Sequence, residues 1–126
     1  MTMYLSVALG GALGACARYG TGHLMLRLVG AGFPYSTLVV NILGSFLMGV
    51  LIELLALRIS ISPELRALLV TGFLGGYTTF SAFSLDAALM IEKGEMLSAA
   101  LYILLSVVLS IAGLFAGLYL MKMVLT

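Results

Sequence analysis

The chain has 126 residues, of which 63% are apolar and only 9% charged, with a formal net charge of +1 and a mean hydropathy of +1.23. Soluble domains carry about 25% charged residues, and a chain this short cannot enclose so much apolar surface, so its solvent is lipid. The near-neutral charge gives no electrostatic basis for a nucleic-acid partner, and a single cysteine, Cys16, excludes an intrachain disulfide.

A bilayer core of about 30 Å is crossed by roughly 20 helical residues, and four segments reach that length. The first covers residues 4–28. Its start, Met1-Thr2-Met3-Tyr4, lacks a basic side chain and its apolar run outlasts a signal-peptide core, which predicts a retained span. Gly30-Ala31-Gly32-Phe33-Pro34 ends it, because glycine loosens the backbone and proline cannot continue a helix. The second covers residues 35–57. After Arg58-Ile59-Ser60-Ile61, Ser62-Pro63-Glu64 opens the third with a capping hydroxyl, a proline at the first helical position and an acid at the positive dipole end. The third covers residues 63–91 and the fourth, after Glu92-Lys93-Gly94-Glu95, residues 96–124. The chain therefore reads as one all-α, four-helix, multi-pass domain of the cell (inner or plasma) membrane.

The third segment holds the most informative stretch, Thr71-Gly72-Phe73-Leu74-Gly75-Gly76-Tyr77-Thr78-Thr79-Phe80-Ser81-Ala82-Phe83-Ser84. Its glycines and hydroxyl residues predict a helix broken near Gly75–Thr79. In lipid every backbone polar group needs a partner inside the protein, so a break at that depth implies freed groups that line a cavity or hold an ion. Basic residues are shared almost evenly between the two sides, Arg58, Arg66 and Lys122 against Arg27 and Lys93. So weak a bias under the positive-inside rule leaves two readings open: one orientation that the insertion machinery still resolves, or insertion in both orientations with antiparallel pairing. Gly10 and Gly14 in the first helix, and Gly44, Ser45, Met48 and Gly49 in the second, form small-residue stripes of the kind that let membrane helices approach closely. Together they favour an oligomer over packing within one subunit.

Several polar residues lie in the wrong solvent. Asn41, with Thr37 one turn before and Ser45 one turn after it, must face protein or water; an interhelical bond and an amide donor to an ion are both open readings. Arg18 follows Gly10 and Gly14 at steps of four, so it lies on the glycine face, as a snorkelling side chain or in an aqueous vestibule. In the fourth helix Ser98, Tyr102, Ser106 and Ser110 fall at successive steps of four and form one hydroxyl stripe. Phe80 and Phe83 share a face, interleaved with Ser81 and Ser84. Aromatic edges carry positive charge, so ring edges with hydroxyl and amide donors suit an anion path. Asp86 is the one acid well inside an apolar stretch, too little for a cation path.

Three stretches together resemble the small bacterial fluoride channels, the Fluc or CrcB family, over essentially the whole chain: Gly10-Gly11-Ala12-Leu13-Gly14-Ala15-Cys16-Ala17-Arg18-Tyr19, Ser36-Thr37-Leu38-Val39-Val40-Asn41-Ile42-Leu43-Gly44-Ser45-Phe46, and Thr71 to Ser81. The resemblance implies an antiparallel, dual-topology homodimer with two fluoride pathways, passive export of cytoplasmic fluoride, and one structural sodium ion at the dimer centre. It implies fluoride contacts from the ring edges of Phe80 and Phe83, from Asn41, Ser81 and Ser84, and from the track Tyr102, Ser106, Ser110. The sodium would be held by the backbone carbonyls of Gly75 and Thr78, with Arg18, Thr37 and Asp86 as vestibule or structural residues. Two departures stand out: Ala82 replaces a threonine of the usual threonine-threonine-phenylalanine-serine-threonine-phenylalanine run, and Asp86 replaces a common glutamate.

The rival reading is a small four-helix, proton-coupled multidrug exporter. That chemistry needs a membrane-embedded carboxylate, and the first helix has none. No P-loop, G-x-G-x-x-G or nucleophile–base pair points to an enzyme.

Overall fold

Two glycines reverse the chain after helical segments by leaving right-handed geometry. The computed structural model describes residues 2–126, and among them the chain is helical, without strands. Helix α1 spans Thr2–Val29 and α2 spans Tyr35–Leu57. A third span, Pro63–Glu92, is built from α3 (Pro63–Arg66), a π-helical stretch (Ala67–Leu74), α4 (Gly75–Tyr77) and α5 (Phe80–Glu92), and α6 spans Met96–Leu125. Gly30 after α1 and Gly94 after α5 take the left-handed region, with φ of 78° and 79°. At Gly94 the reversal is closed by the Glu95 N–H, which donates to the Met90 carbonyl at 2.9 Å. The Ser62 hydroxyl caps α3 by accepting from the Leu65 N–H at 3.1 Å.

The helices pack as two pairs, α1 on the π-helical stretch and α4, and α2 on α6, with α5 leaning on α6. Glycines set the closeness of both. A Cβ on Gly14 would strike the Phe73 carbonyl oxygen, and one on Gly76 would lie 2.8 Å from the Gly11 carbonyl oxygen. Across the other pair, a Cβ on Gly49 would strike the Leu114 carbonyl oxygen, and one on Gly117 would lie 2.8 Å from the Val50 nitrogen. The stripes at Gly10, Gly14, Gly44 and Gly49, read from sequence as association faces between subunits, are thus filled by the chain itself. At Gly44 the space is taken by the Thr78 methyl group. The reason is geometric: small residues at steps of four admit any close helix, and the neighbour in the same chain takes the place.

Few large side chains are fully buried; Val40 and Tyr102 are the largest below 2% exposure, whereas Leu97 and Phe115 are 75% and 63% exposed. An apolar exterior of this extent needs lipid around it. Among the described residues three helical segments, Tyr35–Leu57, Pro63–Glu92 and Met96–Leu125, are each long and apolar enough to cross a membrane. Helix α1 is 28 residues long, about 42 Å at 1.5 Å per residue, and lies along the third span. Its glycines and Arg18, His23 and Arg27 make it the least apolar of the long helices. The protein is a multi-pass, all-helical membrane protein.

Candidate functional site

Between α4 and α5 two residues are extended: Thr78 at φ −84°, ψ 159° and Thr79 at φ −151°, ψ 122°. Backbone groups at and just before them find partners from three directions. The Thr79 N–H donates to Asn41 Oδ1 at 2.7 Å, and Asn41 Nδ2 donates back to the Thr79 carbonyl at 3.0 Å. The Thr78 N–H and hydroxyl both donate to the Leu74 carbonyl, at 3.1 and 3.0 Å. Arg18 Nε donates to the Gly76 carbonyl at 3.1 Å, so Arg18 faces the interruption and does not reach for the membrane surface. The Thr79 hydroxyl caps α5 by accepting from the Ala82 N–H at 3.2 Å. Among the described residues no hydrogen bond reaches the carbonyls of Gly75 or Thr78.

Beside the interruption α2, α5 and α6 enclose a groove of about 320 Å³, lined by Asn41, Ser45, Phe80, Phe83, Ser106 and Ser110 among others. Ser106 and Ser110 come from α6, and their hydroxyl oxygens are buried without a hydrogen-bond partner. Helical serines ordinarily satisfy themselves on the carbonyl one turn back, as Ser84 does at 3.0 Å from the Phe80 carbonyl. The Phe80 and Phe83 ring centroids are 5.3 Å apart at 54°, and Phe83 lies 5.3 Å from Tyr102. Phe33 meets Tyr102 edge-on at 5.5 Å, which continues the aromatic line toward the end of the helices. Phe80 is 76% exposed, so the groove is open on its side.

The other residues singled out from sequence divide. Tyr102, fully buried, donates its hydroxyl to Asp86 Oδ2 at 3.0 Å. Asp86 in turn lines a wide cavity of about 360 Å³ with Thr37, Phe33 and Lys93. Thr37 also lines a second cavity of about 260 Å³, with Arg18, His23 and Thr79. Ser81 and Ser84 are exposed and do not line the groove. Ser81 sits 3.4 Å from the Thr79 hydroxyl, and Ser84 is bonded back to its own helix. Thr79 and Phe33 are additions that the sequence reading did not assign. A threonine directly before a helical run is a cap signal that could have marked Thr79; nothing in the sequence marks Phe33.

Chemically the groove offers donors: two free hydroxyls and, since a carboxamide carries two N–H bonds, one uncommitted N–H of Asn41. The carbonyls of Gly75 and Thr78 are hard oxygen donors left open by the interruption, and such oxygens suit a hard cation. Among the described residues no three acidic, histidine or cysteine side chains gather as a conventional metal site. A cation at the interruption would meet these backbone oxygens and no such cluster.

These features define a class: a small helical membrane protein with a donor-lined groove beside an interrupted span. The family model for CrcB-like protein, Camphor Resistance (CrcB), matches residues 5–118. The chain is 52% identical over 122 residues to a protein of Rhizobium etli named fluoride-specific ion channel FluC, covering 97% of this chain and 98% of that one. It is 56% identical over 112 residues to the protein of that name from Agrobacterium fabrum, covering 89% and 90%. The like-named protein of Rhodospirillum centenum is 52% identical over 122 residues, with 97% of each chain covered. The chain belongs to the CrcB family.

Proposed function

We propose that the protein is a fluoride-selective channel through which cytoplasmic fluoride leaves the cell passively. The observation that carries this is the pair of buried, unpartnered hydroxyls of Ser106 and Ser110 beside Asn41 and the rings of Phe80 and Phe83. Burying a hydroxyl without a partner costs about 1–3 kcal/mol, a cost understandable where an ion completes the bond. Fluoride is a small anion and a strong acceptor, so leaving water requires replacement donors. Serine hydroxyls, the free Asn41 N–H and the positive ring edges of Phe80 and Phe83 are such donors. The relatives' names agree in the ion. Neutral hydrogen fluoride enters from acid surroundings and ionises inside, and a channel lets the anion out down its electrochemical gradient.

The working unit in this reading is an antiparallel, dual-topology homodimer in which the interrupted third spans meet. The exposed Phe80 beside an open groove and the nearly even basic residues on the two sides support it. A structural sodium ion at the centre would be held by the Gly75 and Thr78 carbonyls of both subunits. The absence of N–H donors to those carbonyls supports that fit. The sodium would supply positive charge at the interruption and satisfy the backbone there. Asp86 accepts the Tyr102 hydroxyl and lies outside the donor groove, which gives the proton-coupled exporter no support.

Liposomes loaded with potassium fluoride test the reading. A fluoride electrode should record fast efflux once a potassium ionophore removes the opposing voltage, little efflux without it, and no dependence on a proton gradient. Fluoride release that needs a proton gradient would contradict a channel.

A further inference from the structure

We infer that Asn41 is a positioning residue that couples the anion groove to the cation site at the interruption. The inference rests on the sodium reading above. In a continuous helix the Thr79 N–H would donate four residues back, to the Gly75 carbonyl. Here the Asn41 carboxamide takes that N–H at 2.7 Å and holds the Thr79 carbonyl at 3.0 Å. One side chain on α2 thus secures both backbone groups of one residue of the third span. It lies 38 positions away in sequence and lines the groove.

Two consequences follow from the same pair of bonds. The Gly75 carbonyl is kept open for a cation, because its natural donor is held elsewhere. The carboxamide is fixed in the groove with one N–H uncommitted. Freed from Asn41, the Thr79 N–H would swing back toward Gly75, and the helix would close over the cation site. A cation on the Gly75 carbonyl in turn keeps Thr79 turned toward Asn41 and so presets the donor that faces the anion. Linkage makes the effect reciprocal: whatever sodium does for fluoride affinity, fluoride does for sodium affinity.

The test measures sodium binding by calorimetry on purified protein in sodium-free N-methylglucamine buffer. Hydrogen exchange of peptides covering residues 74–80, with and without sodium, runs alongside. The variants are Asn41→Ser, too short to reach both Thr79 groups, Asn41→Asp, which keeps the acceptor for the Thr79 N–H, and Ser110→Ala, which damages the groove alone. Asn41→Ser should lose at least about tenfold in sodium affinity, equivalent to about 1.4 kcal/mol, and lose sodium-dependent protection at residues 74–80. Asn41→Asp should bind sodium at least as well as about one third of native affinity while fluoride flux falls, and Ser110→Ala should bind sodium like the native protein. Native sodium affinity in Asn41→Ser, or a loss of about tenfold in Asn41→Asp, would overturn the coupling while leaving the sodium reading intact. Native protein with neither sodium binding nor sodium-dependent protection would overturn the sodium reading itself, and the coupling with it.

Discussion

Replacing Ser106 by alanine should make the protein more stable and a poorer channel at once. Ser106 is 5% exposed and its hydroxyl is buried without a partner. An orphaned buried hydroxyl costs about 1–3 kcal/mol, and alanine is the better helix former by roughly 0.5 kcal/mol. In fluoride-free detergent Ser106→Ala should therefore raise the unfolding free energy by about 1.5–3.5 kcal/mol. In the proposed channel the same change would remove a donor to the anion. A hydrogen bond to a charge contributes about 1.5–3 kcal/mol, so fluoride flux should fall at least about tenfold. Denaturation of the purified protein and electrode-recorded efflux from liposomes read the two effects separately. A variant less stable than native would mean that the hydroxyl has a partner in the folded protein. Unchanged flux would mean that the stripe is packing and no ion touches it.

Gly49→Ala should destabilise by about 1–3 kcal/mol, since its Cβ meets Leu114 and Leu118 backbone atoms that no side-chain rotation can clear; thermal unfolding checks this. Asp86→Ala strips the fully buried Tyr102 hydroxyl of its acceptor and should cost about 1–3 kcal/mol, with Asp86→Asn retaining most of the native midpoint. Thr79→Ala removes the cap on the Ala82 N–H and should cost about 1 kcal/mol, visible as faster hydrogen exchange in the first turn of α5.

Local chemistry made much of the fold legible. The Ser62-Pro63-Glu64 start is a cap whose parts are adjacent in sequence, and Ser62 does accept from Leu65. The hydroxyl stripe of α6 was legible because steps of four share a helix face, and the structure buries Tyr102, Ser106 and the Ser110 oxygen. Partner choice was not legible. Gly10, Gly14, Gly44 and Gly49 announce a close neighbour without naming it, and the neighbour is the same chain. Asn41 was readable as an amide in an apolar span with two open roles, but its reciprocal bonds to Thr79 depend on a contact 38 residues away. Ser81 and Ser84 were drawn to the groove by their neighbours Phe80 and Phe83. Rotation along α5 and the back-bond of Ser84 leave them on the exposed side.

The most direct measurement is the ratio of fluoride to chloride efflux from matched liposomes under a potassium ionophore, with native protein and Phe80→Ile side by side. Phe80 lines the groove and borders Phe83 at 5.3 Å, and in the proposed channel its ring edge would replace water around the anion. Fast fluoride efflux with little chloride efflux, lost in Phe80→Ile, is the predicted result. Equal fluoride and chloride fluxes, or selective fluoride flux that survives Phe80→Ile, would contradict a fluoride path along this groove.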